Sequence, residues 1–245
     1  MIHDIKKLYK HIRDYKNLCE IFGNILDAPS KGGNISIKED KYLIIKSSGE
    51  DLKKEHNVSI LINGVNAYSY CDGQIIKNII KPSMEIGMHT VFKNKYVVHY
   101  HPIYVLPYLC SDNYNFNKAI DCDIVDFILP GGELFKYLQS VYIYKESGVV
   151  MLKNHGVILY SEEISDLFKL YKTIKDTFFI KNNNFYTPDD AVDSNNCELW
   201  LFRNVIENIA HKYNLNLKLL NQHEVNKLLS LPDEIYRQIK MKDKD

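Results

Sequence analysis

His99 and His101 stand two residues apart in Val97-Val98-His99-Tyr100-His101-Pro102. In an extended strand such side chains leave the same face, so the two imidazoles can chelate one ion. Glu85 comes before them, in Pro82-Ser83-Met84-Glu85-Ile86-Gly87-Met88-His89, and a third histidine comes after, in Asn154-His155-Gly156. Three imidazoles and one acidic group fit a catalytic zinc site with an open coordination position. A dication held by neutral rings keeps its full charge, whether Zn2+ or another divalent metal, and can polarise a substrate carbonyl as an electron sink. A carboxylate beside a dication in a partly dry pocket can alternate between displaced metal ligand and acid/base group, which makes Glu85 a natural proton carrier. Each residue read alone has a plainer role: a packed histidine, or a helix-start glutamate favoured by the dipole.

Five segments occur in an order that resembles the class II aldolase/adducin family: Gly33-Asn34-Ile35-Ser36, Ser48-Gly49, Pro82-Ser83-Met84-Glu85, His99-Tyr100-His101 and Asn154-His155-Gly156. The resemblance covers roughly residues 15 to 180. It implies that His99, His101 and His155 hold zinc, that Glu85 is the acid/base, and that Gly33, Asn34, Ser48, Gly49 and Ser83 bind a substrate phosphate. Glycine-rich turns expose main-chain amides to an anion at close range, although Gly32-Gly33 and Ser48-Gly49 alone also read as ordinary hairpin turns. The family also uses a tyrosine at the aldehyde end. Tyr114 lies at about the right distance before Pro130-Gly131-Gly132-Glu133-Leu134, and Tyr186 is an alternative.

One position departs from the family pattern. Met84 stands where a second serine is expected, which removes a hydroxyl contact and keeps a sugar-phosphate dehydratase in view. The related epimerases usually carry aspartate where this chain has Glu85. The resemblance therefore implies an aldolase that cleaves a small phosphorylated ketose to dihydroxyacetone phosphate, or a related ketone, and an aldehyde. The other readings are a dehydratase or epimerase and, from a different class, a non-catalytic adducin-like interaction module. A homotetramer follows by family analogy.

Several elements must position these groups. Apolar residues at three- and four-residue intervals from Ile2 to Leu26 predict a long opening helix. Short runs at Ile35 to Ile37, Tyr42 to Lys46, Val58 to Ile62 and Ala67 to Tyr70, separated by glycine turns, predict an antiparallel meander. Pro82-Ser83 opens a helix with Glu85 in its first turn, and strands at Gly148 to Leu152 and Val157 to Tyr160 flank His155. A helix striped by Ile164, Leu167, Phe168, Tyr171, Ile174 and Phe178 follows. After a break at Asn182-Asn183-Asn184, Leu199 to Ile209 predicts another helix, and Pro232 begins a last short one that frays into Lys-Asp-Lys-Asp. The fold class expected is α/β (α+β): one three-layer α/β/α domain over residues 1–245 with a mainly antiparallel central sheet and a C-terminal helical extension from about residue 182.

Composition narrows the partners. Lys+Arg and Asp+Glu both number 31, and no block of like charge appears, so nucleic acid is not an expected partner. There is no apolar run of membrane-spanning length and no signal-peptide pattern at the N-terminus, so the chain reads as cytoplasmic with no membrane partner. Five cysteines lack Cys-x-x-Cys spacing and read as reduced thiols, with Cys110 as a buried packing group.

Overall fold

Alternation within the strands decides the architecture. The computed structural model describes residues 2–54, 57–71, 73–77, 80–179, 184–187, 191 and 197–235. Compactness divides the chain into two units, Met1–Phe179 and Ile180–Asp245.

In the first unit, nine strands form one sheet of order β5-β4-β3-β2-β1-β6-β9-β8-β7. They are β1 (Asn34–Glu39), β2 (Tyr42–Lys46), β3 (Asn57–Ile62), β4 (Val65–Cys71), β5 (Gln74–Ile76), β6 (Tyr96–Tyr100), β7 (Asp123–Val125), β8 (Ser147–Leu152) and β9 (Gly156–Ser161). All pairings are antiparallel except β7 with β8. The expected mainly antiparallel mixed α/β fold is therefore what the chain adopts. The helices of this unit are α1 (Ile2–Phe22), α2 (Ile86–Val91), α3 (Leu106–Leu109), α4 (Gly132–Val141) and α5 (Ile164–Phe178).

The two sheet faces carry different helices because successive side chains alternate. On one face Val97, Val150, Leu152, Ile158 and Tyr160 bury against Met88 and Phe92, from α2 and its end, and against Leu134 and Leu138 of α4. On the other, Tyr100 meets Phe22 of α1 at 5.2 Å and Tyr171 of α5 at 6.1 Å between ring centroids. His99 has the parity of Val97, so it projects on the α2 side. In β1, Asn34, Ser36 and Lys38 share that face, since Asn34 pairs with His99 and Ser36 with Val97. These three polar side chains reach the start, middle and end of α2: Asn34 to Glu85, Ser36 to His89, and Lys38 to the carbonyl oxygens of His89 and Phe92.

Several elements lie beyond the sequence expectation. The short strands β5 and β7 and the helices α3 and α4 had no predicted counterpart. In the second unit α6 (Cys197–Tyr213) matches an expected helix, whereas α7 (Gln222–Leu229) had no predicted counterpart. Its start is a capping box: the Asn221 side chain accepts from the Glu224 amide at 2.9 Å, and Glu224 Oε2 accepts from the Asn221 amide at 2.8 Å. Residues 232–235 are helical, where the last short helix was expected to begin at Pro232. Asn182 and Asn183 of the expected break and the terminal Lys-Asp-Lys-Asp lie outside the described residues. Cys110, expected to be buried, is an exposed free thiol at the end of α3, where the helix turns its last residue outward. Among the described residues, no helix is long and apolar enough to cross a membrane.

Candidate active site

Three segments distant in sequence bring their histidines together. His99 sits in β6 between β1 and β9, fully buried, and its Nδ1 lies 3.1 Å from the Val157 carbonyl oxygen. That contact places the Nδ1 proton and leaves the Nε2 lone pair free. His101 follows β6, its amide donating to Asp27 O at 2.8 Å. His155 ends the three-residue loop between β8 and β9, where Asn154 takes a left-handed conformation at φ 55°. Asparagine tolerates that conformation better than most residues, which turns the next side chain inward. Gly156 then passes so close to the rings that a Cβ there would lie 2.6 Å from His101 Cδ2 and from Tyr100 O. A Cβ on Gly32 would likewise lie 2.8 Å from His101 Nδ1.

The ring nitrogens converge. His99 Nε2 lies 2.9 Å from His101 Nε2 and 3.2 Å from His155 Nε2, and one ligand atom from each ring falls within 4.8 Å of the others. A zinc–nitrogen bond of about 2.0–2.1 Å in a tetrahedron separates ligand nitrogens by ~3.4 Å, close to this spacing. Converging lone pairs repel one another without a cation between them, so the donor set fits a divalent metal. Burial, opposed by Glu85 and reinforced by His101 and His155, holds the His99 ring well below its ordinary pKa. Burial, with His155 and against Glu85, brings His101 down to about 4. Both rings are thus neutral at pH 7, the form that ligates.

Glu85 stands one residue before α2, at its N-cap rather than in the expected first turn. Its Oε1 lies 3.3 Å from His155 Nε2 without forming a hydrogen bond, and Oε2 lies 3.7 Å from His99 Nε2. Burial pushes this carboxyl up, but His99, His155 and the Asn34 amide outweigh it, and the net direction is well below the usual carboxylate range. A carboxylate beside converging ring nitrogens is the donor pattern that a dication requires.

A chain of hydrogen bonds holds that carboxylate. Asn34 Nδ2 donates to Glu85 Oε2 at 2.7 Å and to Ser83 Oγ at 3.3 Å. Asn34 Oδ1 is met by His89 Nε2, and His89 Nδ1 lies 2.7 Å from Ser36 Oγ. Burial, with Lys38 and against Glu85, lowers His89 to about 3, so the ring is neutral. A neutral ring that donates from Nε2 must accept at Nδ1, and donation therefore runs one way: Ser36 to His89 to Asn34 to Glu85. Sequence reasoning missed His89 and Ser36. The signal was the polar alternation Asn34-Ser36-Lys38 in an otherwise apolar strand.

The five residues expected at a phosphate, Gly33, Asn34, Ser48, Gly49 and Ser83, line one cavity of about 170 Å³ with Glu85 and His101. Met84 lines it too, 66% exposed. Gly33 and Gly49 have φ of 72° and 79°, a conformation that glycine adopts without strain. Lys31 and Lys46, absent from the sequence expectation, complete the wall. Tyr114 is not among the residues that line this cavity and packs at 4.7 Å from Tyr108 and 4.9 Å from Phe116 between ring centroids. Tyr186, in the second unit, donates to Glu207 Oε1 at 2.6 Å.

A family model described as Class II Aldolase and Adducin N-terminal domain matches residues 26–181, a span that contains every one of these site groups except Tyr186. The chain belongs to the class II aldolase and adducin family. Solved structures agree with this family's fold. The N-terminal class II aldolase domain of a conserved protein from Thermoplasma acidophilum superposes with a TM-score of 0.54 at 16% identity, covering 66% of this chain and 89% of that one. YgbL from Escherichia coli, a putative aldolase/epimerase/decarboxylase, gives 0.54 at 16% identity, covering 90% and 98%. A sugar-phosphate aldolase from Thermotoga maritima gives 0.52 at 16%, covering 70% and 94%. A curated relative, the uncharacterized oxidoreductase YuxG of Bacillus subtilis (strain 168), is 28% identical over 54% of this chain. The chain spans 23% of that relative's length.

Proposed function

We propose that this class II aldolase family member is a metal-dependent aldolase that reversibly cleaves a small phosphorylated ketose into dihydroxyacetone phosphate, or a related ketone, and an aldehyde. The observation that carries this reading is the convergence of His99, His101 and His155 beside the Glu85 carboxylate. Those three histidines would hold the metal, most simply Zn2+, and when bound the ion would polarise the substrate carbonyl.

The remaining steps fall to the chain itself. Glu85 takes a proton at Oε1, the oxygen that the Asn34 amide does not bind, and later returns it to the carbon freed by bond cleavage. Asn34, locked by His89, keeps Oε2 hydrogen-bonded so that Oε1 does the transfer. Gly33, Ser48, Gly49 and Ser83 hold the far, anionic end of the substrate in the adjoining cavity. Tyr114 is engaged in its aromatic cluster and we assign it no step. We read Met1–Phe179 as the family domain, Ile180–Asp245 as an added helical unit, and the assembly as a homotetramer by family analogy. Met84 on the cavity wall favours one second reading, a dehydratase acting on a sugar phosphate with an apolar substituent.

Metal analysis of protein purified without added zinc is the first test. About one ion per chain is expected, and content far below that with no rebinding would favour a non-catalytic module. A carbonyl-release assay on a panel of ketose 1-phosphates then separates aldolase from dehydratase. Glu85→Gln should abolish turnover and leave the metal bound; loss of metal instead would make ligation its main role.

A further inference from the structure

His101 stands where the sheet stops. Pairing of β1 with β6 ends at Asn34 and His99, and pairing of β9 with β6 ends at Val157 and Tyr100, so His101 lies past the last paired residue on both sides. Its backbone is held instead by the connection between α1 and β1. The His101 amide donates to Asp27 O at 2.8 Å, and the Ile103 amide donates to Leu26 O at 2.8 Å. Such a bond orients a ligand only as firmly as the acceptor is itself held.

The Asp27 side chain does the holding. Fully buried, it accepts on Oδ1 from the Tyr104 hydroxyl at 2.7 Å, and on Oδ2 from the Tyr171 hydroxyl at 2.6 Å and from Asn24 Nδ2 at 2.6 Å. These donors come from three places: the turn after α1, the segment after His101, and α5 on the sheet face opposite the His99 ring. Burial, with Tyr100 and Asp27, raises the Tyr104 phenol far above its ordinary pKa, so it remains a donor. Lys175 Nζ donates to the Tyr171 hydroxyl at 3.3 Å, which strengthens that phenol's own donation. Tyr100, the residue between the two ligands, packs on the same Tyr171 ring. Burying a carboxylate is costly unless it is hydrogen-bonded, and an apolar side chain would fill this part of the core without that cost. What the aspartate adds is direction. One carbon separates its carboxylate from its backbone, so pinning the carboxylate from three elements also pins the carbonyl that faces His101.

We propose that Asp27 is a positioning residue for the metal centre: its carboxylate, pinned by Tyr104, Tyr171 and Asn24, aims the main-chain carbonyl that keeps His101 beside His99 and His155. Asp27 is not one of the three converging ligands and acts only through His101. This rests on the metal site of the reading above and not on which carbonyl compound is cleaved. Metal affinity thereby depends on a phenol from the far face of the sheet, whereas a purely stabilising role would leave affinity alone and change only the melting temperature.

The test uses the full-length protein and Co2+, whose d–d absorption reports the arrangement of its ligands, with affinity measured by chelator competition. Asp27→Ala should weaken Co2+ binding about tenfold or more and alter the d–d bands. Tyr171→Phe, which removes one hydroxyl from the far face, should move both in the same direction by less. Asp27→Asn keeps one acceptor oxygen and should fall between wild type and Asp27→Ala. Hydrogen exchange of the His101 amide should quicken in each variant. Lower melting temperatures combined with wild-type Co2+ affinity, bands and His101 exchange would overturn the inference and leave the metal centre standing, while a wild type that binds no Co2+ would overturn both. Weakened binding in the variants of a wild type that cleaves no ketose phosphate would uphold the inference and sink the aldolase reading. Should Asp27→Ala fail to fold, Tyr171→Phe and Asp27→Asn decide by the same measurements.

Discussion

At the scale of single residues, the site depends on groups that touch no substrate. Gly156 leaves room for two imidazoles, so Gly156→Ala should displace His101 and lower metal affinity by roughly 10–100-fold, the range seen when ligand orientation is lost. Equilibrium dialysis against zinc measures this. His89 acts through Asn34, whose carboxamide is free to flip once its oxygen loses a partner. His89→Phe should therefore cost about 1–3 kcal/mol of transition-state stabilisation through the misplaced carboxylate, read as a fall in kcat with little change in KM and unchanged zinc content. His89→Gln, which keeps a donor near Nε2, should recover part of it; a variant as poor as His89→Phe would argue against orientation by hydrogen bonding. The histidines and Glu85 were legible in the sequence because metal ligation needs particular donor types. His89 was not, because the partners that give it its role, Ser36 and Asn34, lie on a strand distant in sequence.

At the scale of elements, β1 clamps α2 along its whole length, and Lys38 is the far end of that clamp. Its amine meets the His89 and Phe92 carbonyl oxygens, and burial, only partly offset by Glu162, lowers it from 10.5 to about 7. Between pH 7 and 10.5 the unfolded chain binds this proton and the folded chain does not, so stability rises with pH through that window and levels off above it. The slope from this group is at most about 1.4 kcal/mol per pH unit. Denaturant melts of wild type and Lys38→Met across the window should show the wild type gaining on the variant as pH rises. A parallel course would mean that the amine stays charged. The loop that carries His155 makes a second element-scale prediction: Asn154→Ala at φ 55° should cost about 1–2 kcal/mol in the same melts, and Asn154→Gly considerably less.

At the scale of the whole molecule, zinc held as proposed would bind the folded chain through groups from β6, its end and the β8–β9 loop, segments that the unfolded chain does not hold together. Zinc at 100 times its dissociation constant would add about 2.7 kcal/mol to stability, so stripping it should lower Tm by roughly 5–11 °C for a chain of this size. Thermal melts with and without a chelator check this, and Glu85→Gln should show the same drop if Glu85 is not a required ligand.

The chain's order of residues determined the chemistry on offer and most of the regular elements. The α1 stripe, the β1–β4 meander and the β8–β9 hairpin around His155 were readable because each buries one periodic face, and periodicity is a local property. Tertiary structure alone decided what the periodic pattern could not carry. The three-residue strands β5 and β7 are too short to show alternation and exist because a neighbouring strand supplies their hydrogen bonds. Glu85 moved from a first turn to an N-cap because the Asn34 amide, delivered by another strand, holds its carboxylate outside the helix. Lys46, at the end of β2, shares a cavity wall with Ser83, whose amide donates to the Lys46 carbonyl, because segments distant in sequence meet there, and no local pattern records such a meeting.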